Sequence, residues 1–299
     1  MRFFDISRGL RDRFHFSWMT ICLVVIMTLP FILFFGLLYK SSMILGSHSL
    51  VDLLFSSSWR PMKGEFGFLP FIISSIWVTV LSMLIAGPVC LLTSIHLTQY
   101  AKNYVLRIMH PVIDILAGIP SVIFGVWGIL IVVPFVGNYL GPWLGKEVSG
   151  YSILAGAVVL SIMIIPFVLN ILIEIFRTIP LELTEASLSV GATKWQTIKF
   201  VMLKRALPGI ISAFGLGISR AFGETIAVLM VVGNVAKIPT GTFQPGYPLP
   251  ALIANNYGEM LSIPQYDSAL MLAALILFVV VVVFNFASRT VIMRYEKAS

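Results

Sequence analysis

The stretch "ILAGAVVLSIMIIPFVLNILIEIF" (153–176) is almost entirely apolar and carries a single charge, at Glu174. An α-helix rises about 1.5 Å per residue, so a helix of this length crosses the hydrocarbon core of a bilayer, which is about 30 Å thick. The stretch therefore predicts a membrane-spanning helix. Comparable apolar runs recur along the chain, which indicates a protein that crosses the membrane several times.

Six spans are predicted, at 17–39, 67–95, 113–136, 153–176, 209–233 and 269–292. The composition agrees, because 58% of the residues are hydrophobic and 11% are charged, whereas soluble proteins carry about 25% charged residues. A membrane β-barrel would show short alternating segments of about 10 residues instead. The first apolar run is too long for a cleaved signal peptide. We expect an all-α polytopic membrane protein with a cytoplasmic tail (1–16) and one transmembrane domain (17–299).

The distribution of positive charge predicts the topology. The two termini and the second and fourth loops hold 14 Lys and Arg residues when Arg289, near the end of the sixth span, is counted with the C-terminus, whereas the three opposite loops hold five. Cytoplasmic loops are enriched in Lys and Arg, so both termini are expected in the cytoplasm. The net charge of +7 follows from this loop pattern and does not indicate a nucleic-acid partner; the expected surroundings are membrane lipid. Cys22 and Cys90 lie within apolar runs, which favours packing over a disulfide or metal site.

The fourth loop, 177–208, is here called the knob and is expected to fold into two short helices. Pro180 suits a helix start and Gly191 a helix end, while Thr193 and Gln196 fit a capping box for the second helix. Pro208 and Gly209 are expected to end that helix before the fifth span. Such a compact helical element suits insertion into a groove on a partner protein. An amphipathic helix lying on anionic lipid is the alternative interpretation.

The segment "GISRAFGETIAV" (217–228) places Arg220 and Glu224 inside the fifth predicted span. A charge at the centre of a span costs about 2.5–3.5 kcal/mol, so intramembrane charges usually belong to functional sites. At a spacing of i and i+4 the two side chains can pair on one helix face, and a purely structural pair is the alternative. Because arginine forks onto the oxygens of an oxyanion, we expect an anion pathway here, with Ser219 and Thr225 as further polar contacts.

The knob resembles the EAA loop of ABC-transporter permeases. The residues that carry the resemblance are Glu185, Ala186, Ser187, Gly191, Val201 and Leu203. Lys204 stands where that family usually has proline. The resemblance implies that these residues, together with Glu182 in the same helix, couple the chain to a separate ATPase subunit. The sequence contains no GxxxxGK[ST] motif, so ATP and Mg²⁺ are expected on that partner. We expect no catalytic residue, cofactor or metal in this chain.

Three segments also resemble the phosphate-specific transport permeases: "SSWRPMKGEFGFLP" (57–70), "LAGIPSVIFGVWG" (116–128) and "SRAFGETIAVLMVVGN" (219–234). The first of them is similar to the PstC-type subunit. The resemblance implies a type I importer (MetI-like) fold in the bacterial plasma (inner) membrane, with Arg220 and Glu224 in phosphate translocation. It further implies three kinds of partner: a PstA-type second permease, two copies of an ATP-binding subunit, and a periplasmic or extracellular phosphate-binding protein.

Three alternative functions stay open at this stage. The first is an ABC permease for another oxyanion, such as sulfate or molybdate. The second is a secondary anion transporter or channel without an ATPase, which inverted repeats would favour; the sequence shows none. The third is an intramembrane enzyme, for which the sequence offers no His/Asp/Glu cluster, Ser–Lys pair or HExxH motif.

Overall fold

A computed structural model of the chain describes residues 8–145, 147–258 and 263–298. Residues 1–7 of the predicted tail and Lys146 of the second outer loop lie outside the described residues. The helices, named here in chain order with their π-helical turns included, are α1 (Arg8–Lys40), α2 (Ser42–Ser47), α3 (Leu50–Phe55), α4 (Leu69–Tyr100), α5 (Asn103–Gly118), α6 (Ser121–Trp143), α7 (Ile153–Arg177), α8 (Leu181–Ser189), α9 (Lys194–Phe222), α10 (Ile226–Leu229), α11 (Leu249–Asn256) and α12 (Pro264–Ala298).

The structure confirms the six predicted spans, as α1, α4, α6, α7, α9 and α12 are long and apolar enough to cross a membrane. The predicted start of the third span, at residue 113, is wrong. Helix α5 ends at Gly118, and Ile119 has an extended backbone with ψ of 128°. Proline disfavours helical geometry in the residue before it, so Pro120 separates α5 from α6, which begins at Ser121.

The centre of the bundle is α7, which packs mainly against α4 and α9. In its most apolar 18-residue window 61% of the residues are buried, whereas the corresponding value for α1 is 0%. Helix α1 lies at the edge and contacts α12, where the rings of Phe34 and Phe278 are 6.3 Å apart. The buried part of 153–176 contacts other helices, and the remainder of this span is apolar as expected for a helix in lipid.

At the end of the bundle opposite the knob, the chain forms what we call the outer layer: residues 41–68 and 230–258. It contains α2, α3, α11 and a hairpin of β1 (Trp59–Arg60) and β2 (Glu65–Phe66), in which Trp59 pairs with Phe66. Helix α3 begins directly after Ser49, whose hydroxyl accepts a hydrogen bond from Val51 N. The rings of Trp59, Phe66, Phe68, Phe71 and Tyr266 pack together beneath the hairpin.

Two buried serines of α4 fasten the outer layer to the bundle. The Ser74 hydroxyl accepts a hydrogen bond from Tyr247 N at 3.1 Å, and the Ser75 hydroxyl accepts one from Leu249 N at 2.9 Å.

The Tyr247 phenol oxygen accepts amide hydrogen bonds from Asn255 and Asn256, both at 3.0 Å. Burial raises the pKa of the Tyr247 phenol, which therefore stays neutral at physiological pH.

The fifth span differs from its prediction at both ends. Helix α9 begins at Lys194, inside the knob, and continues through Pro208 and Gly209 as far as Phe222. The expected helix end at Pro208 is therefore wrong, since the proline is accommodated inside the helix. A π-turn at Ile198–Met202 lies upstream of it. At about 1.5 Å per residue, α9 is a rod of about 43 Å that joins the knob to the middle of the bundle.

Candidate functional site

The helix that carries Arg220 ends two residues after it. Phe222 is the last residue of α9, Gly223 to Thr225 are not helical, and the short helix α10 starts at Ile226. The alternative interpretation, a structural pair of Arg220 and Glu224 at i and i+4 on one helix, is therefore wrong, since no ion pair joins these two described residues. Irregular backbone at membrane depth is tolerated only where protein or a water-filled cavity satisfies it, which marks residues 223–225 as unusual.

Arg220 lies at the C-terminal end of α9, where the helix dipole favours a positive charge. The guanidinium carbon is 4.6 Å from the centroid of the Phe167 ring on α7. The Arg220 side chain is otherwise exposed, while Phe167 is partly buried against the central core. The sequence gives no signal for Phe167, because an aromatic residue in an apolar run does not stand out from its neighbours.

Glu224 lies at the N-terminal end of a helix, α10. Its Oε1 accepts a hydrogen bond from Ala227 N at 3.2 Å, so the carboxylate caps the first turn of α10. Glu224 also lines a cavity of about 10 Å³ together with Ser75 and Thr79 of α4, which is room for about one water molecule. Each charge is thus stabilised by a helix terminus that carries the opposite partial charge. This explains how both charges are tolerated without pairing with each other.

The two other predicted pathway residues lie at the same break in the helix. The Ser219 hydroxyl donates to Gly215 O at 3.0 Å, within α9, and the Thr225 hydroxyl donates to Gly223 O at 3.3 Å. Both side chains are partly buried. The four predicted pathway residues are neighbours in the sequence and flank the break in the helix, and the structure satisfies the two hydroxyls locally.

A second pocket, of about 350 Å³, lies on the outer side of α10. Its lining includes Tyr151, Met230, Pro245 and Asn234. Asn234 has a positive φ of 52°, its amide donates to Leu229 O, and its Oδ1 is buried without a partner among the described residues. Sequence analysis did not single out this asparagine. The Gly-Asn step at 233–234 was a usable signal, because these two residue types best tolerate left-handed backbone.

The knob has the two helices that its sequence predicts. Pro180 precedes α8, Gly191 has a φ of +87° just after it, and Thr193 with Gln196 forms a complete capping box at the start of α9. Of the predicted coupling residues, Glu182, Glu185, Ala186 and Gly191 are exposed. Ser187 shares a hydrogen bond of 2.9 Å with Thr197, whereas Val201 and Leu203 lie partly buried along α9.

Residues 91–296 match the family described as "binding-protein-dependent transport system inner membrane component". The chain is 33% identical over 261 residues to the phosphate transport system permease protein PstC of Xylella fastidiosa (strain 9a5c), covering 83% of this chain and 80% of that protein. It is 31% identical to a probable PstC of Methanocaldococcus jannaschii over 95% of both chains. It is also 38% identical to the probable ABC transporter permease YqgH of Bacillus subtilis (strain 168), over 76% of this chain and 72% of that one.

Solved structures agree on the fold. A chain of the bacterial alginate ABC transporter aligns with a TM-score of 0.63 at 17% identity, covering 93% of each chain. A chain of the MetNI methionine ABC transporter in an inward-facing conformation aligns with a TM-score of 0.55 at 21% identity, covering 80% of this chain and 99% of that one. This protein therefore belongs to the binding-protein-dependent transport system inner membrane components, the permeases of ABC importers, and within them to the PstC type.

Proposed function

We propose that this chain is the permease subunit of an ATP-driven importer of inorganic phosphate. The observation that carries the proposal is an arginine at the end of an interrupted membrane helix, in a chain about one-third identical to PstC permeases over most of its length. Arg220 offers a positive charge whose N–H donors have no acceptor among the described residues, and an oxyanion supplies the acceptors that a guanidinium prefers. The chain moves phosphate without altering it and is not itself an enzyme.

The partners follow from the family. An importer permease of this kind works in the inner membrane with an ATPase and a substrate-binding protein. We infer that a PstA-type permease completes the pathway, that two copies of the ATPase hold ATP and Mg²⁺, and that a phosphate-binding protein docks on the outer layer. The knob and both termini then face the cytoplasm.

In the mechanism we propose, the ATPase moves the knob and α9 carries that movement to the site. The same rod bears the exposed knob surface near Lys194 and the anion-binding charge at Arg220. Displacement of its cytoplasmic end therefore shifts Arg220 relative to α7 and α10. The cavity beside Glu224 holds about one water in this state, so passage of phosphate requires the helices around it to separate.

The decisive experiment is uptake of labelled phosphate by cells with and without this chain, with sulfate as competitor. We expect uptake to depend on the chain and an excess of sulfate to leave it unchanged. Competition by sulfate or molybdate would favour the alternative oxyanion permease. Uptake without any associated ATPase in the purified complex would favour a secondary transporter.

Arg220→Gln tests the site itself. The glutamine retains hydrogen-bonding groups but lacks the charge, so phosphate uptake should fall by about a hundredfold or more while the protein still inserts and assembles. Normal uptake by this variant would contradict the proposed anion site.

A further inference from the structure

Arg220 is held in a way that differs from Arg177, the last residue of α7. The Arg177 guanidinium donates to Glu174 Oε1 at 3.1 Å and to His110 Nε2 at 2.8 Å, so a carboxylate and an imidazole each accept one of its five N–H donors. Among the described residues, the Arg220 guanidinium contacts the Phe167 ring. Arg177 therefore has an acidic partner, whereas Arg220 has none among the described residues.

The chemistry of the Phe167 contact explains the difference. An aromatic face attracts a cation through its quadrupole, but it presents no carbonyl or carboxylate oxygen that would accept the five N–H donors of a guanidinium. A carboxylate would accept two of those donors and cancel the charge. A ring therefore restricts the position of the side chain and leaves both its charge and its hydrogen-bonding edge available.

The backbone brings the two side chains together by a close helix approach one turn away. A Cβ added at Gly217 of α9 would lie 2.7 Å from Val168 Cγ2 on α7, so the two helices touch there because position 217 has no side chain. Arg220 follows Gly217 by three residues, and Phe167 directly precedes Val168. Val168 and Ile164 are fully buried, so the part of α7 that carries the ring is fixed by packing.

We propose that Phe167 is a positioning residue for Arg220. Its ring holds the guanidinium at the pathway with the N–H donors unoccupied, so that a tetrahedral oxyanion meets an ordered, charged partner. Phe167 itself makes no contact with the anion. The inference rests on the proposed function, because it assigns Phe167 a role only if Arg220 binds the transported phosphate.

The test is graded fluorination of the ring. In the complete transporter, reconstituted with its ATPase and binding protein, Phe167 is replaced by mono-, di- and trifluorophenylalanine, which weaken the quadrupole at nearly constant volume. The rate of labelled phosphate uptake should fall stepwise along the series. Phe167→Leu should reduce the rate by about threefold to thirtyfold. Phe167→Tyr, which keeps an aromatic face, should retain most of the original rate. An unchanged or faster rate across the fluorinated series would overturn the proposal.

Phe176 provides the matched control. It lies on the same helix, is 2% exposed and packs in the central apolar cluster, so fluorination there should leave uptake unchanged. An equal gradient at both positions would mean that fluorination acts through packing, which would also overturn the proposal. Arg220→Gln in the same assay separates the proposed function from the positioning role of Phe167. If it transports normally the proposed function fails, whereas an inactive Arg220→Gln with a flat Phe167 series removes only the positioning role.

Discussion

The knob and the outer layer lie at opposite ends of the bundle and are built in opposite ways. No residue of α8 is buried, and large apolar side chains such as Leu181, Val190 and Trp195 are 74%, 83% and 52% exposed. In the outer layer and the start of α4, Phe68, Phe71, Leu249 and Leu252 are completely buried. Both ends expose large apolar side chains, including Phe55 and Met62 in the outer layer, but the outer layer also encloses an apolar core of its own, whereas α8 buries no residue. An apolar patch left open on a folded element marks an interaction site.

This contrast predicts that damage to the knob harms coupling, and that damage to the outer layer harms stability. The largest effect is expected from Gly191→Val, because a β-branched residue is strained at a φ of +87°. Strain of about 1–3 kcal/mol at the turn should displace α8. Phosphate transported per ATP hydrolysed should fall by about tenfold, measured in proteoliposomes. Glu185→Lys, which reverses an exposed charge of the same surface, should act in the same direction.

Gly64→Val is the matched control, since Gly64 has a φ of +76° and, like Gly191, no neighbouring atom within 4 Å of an added Cβ. It places the same strain in the hairpin of the outer layer. We expect a lower melting temperature and an unchanged ratio of phosphate to ATP. Equal loss of coupling in both variants would refute the division between the two ends.

The next largest effect should come from Ser75→Ala in α4. Ser75 is 3% exposed, and its loss leaves the buried Leu249 N–H without an acceptor. An unsatisfied buried donor costs about 1–3 kcal/mol, so the unfolding midpoint in denaturant should fall. Ser82→Ala is the control, because the Ser82 hydroxyl is also buried and, among the described residues, donates within its own helix to Thr79 O. Similar losses in both variants would show that Ser75 does not fasten the outer layer.

A smaller effect is expected from Thr193→Ala, which removes the cap of α9 in the knob. Loss of an N-cap hydroxyl costs about 1 kcal/mol, and Thr193→Ser should retain most of that energy. Hydrogen exchange should become faster in residues 193–197 and stay unchanged in the outer layer. Faster exchange across the whole chain would mean that the knob is part of the global folding unit.

The smallest effect is expected from Pro208→Ala. Helix α9 is already continuous through this proline, so alanine should change phosphate uptake by less than about twofold while raising helix stability. A large loss of coupling would show that Pro208 acts as a hinge between the knob and the span, and that α9 does not move as one rod.

Much of the fold was predictable because the membrane imposes strong rules on sequence. Apolar runs such as 153–176 have one solution in lipid, since a helix satisfies its own backbone groups. Short-range signals were equally reliable in the knob, where Pro180, Gly191 and the Thr193–Gln196 pair act within one turn. The wrong predictions concern helix ends, where a local sequence signal competes with the packing of the helices. Pro208 and Gly209 signal a helix end, but the packing of α9 against α7 keeps the helix intact; a Cβ at Gly209 would lie 2.7 Å from Ile175 Cγ2.

The sequence by itself determined the six spans, the two-helix knob and the presence of a charged segment at 219–225, because each depends on residues near one another in the chain. Tertiary structure alone decided how the charges are stabilised. The spacing of Arg220 and Glu224 permitted a pair on one helix, but the break after Phe222 separates them. Contact with Phe167 depends on two helices that meet at Gly217, and such a contact between residues 53 positions apart leaves no periodic mark on the sequence.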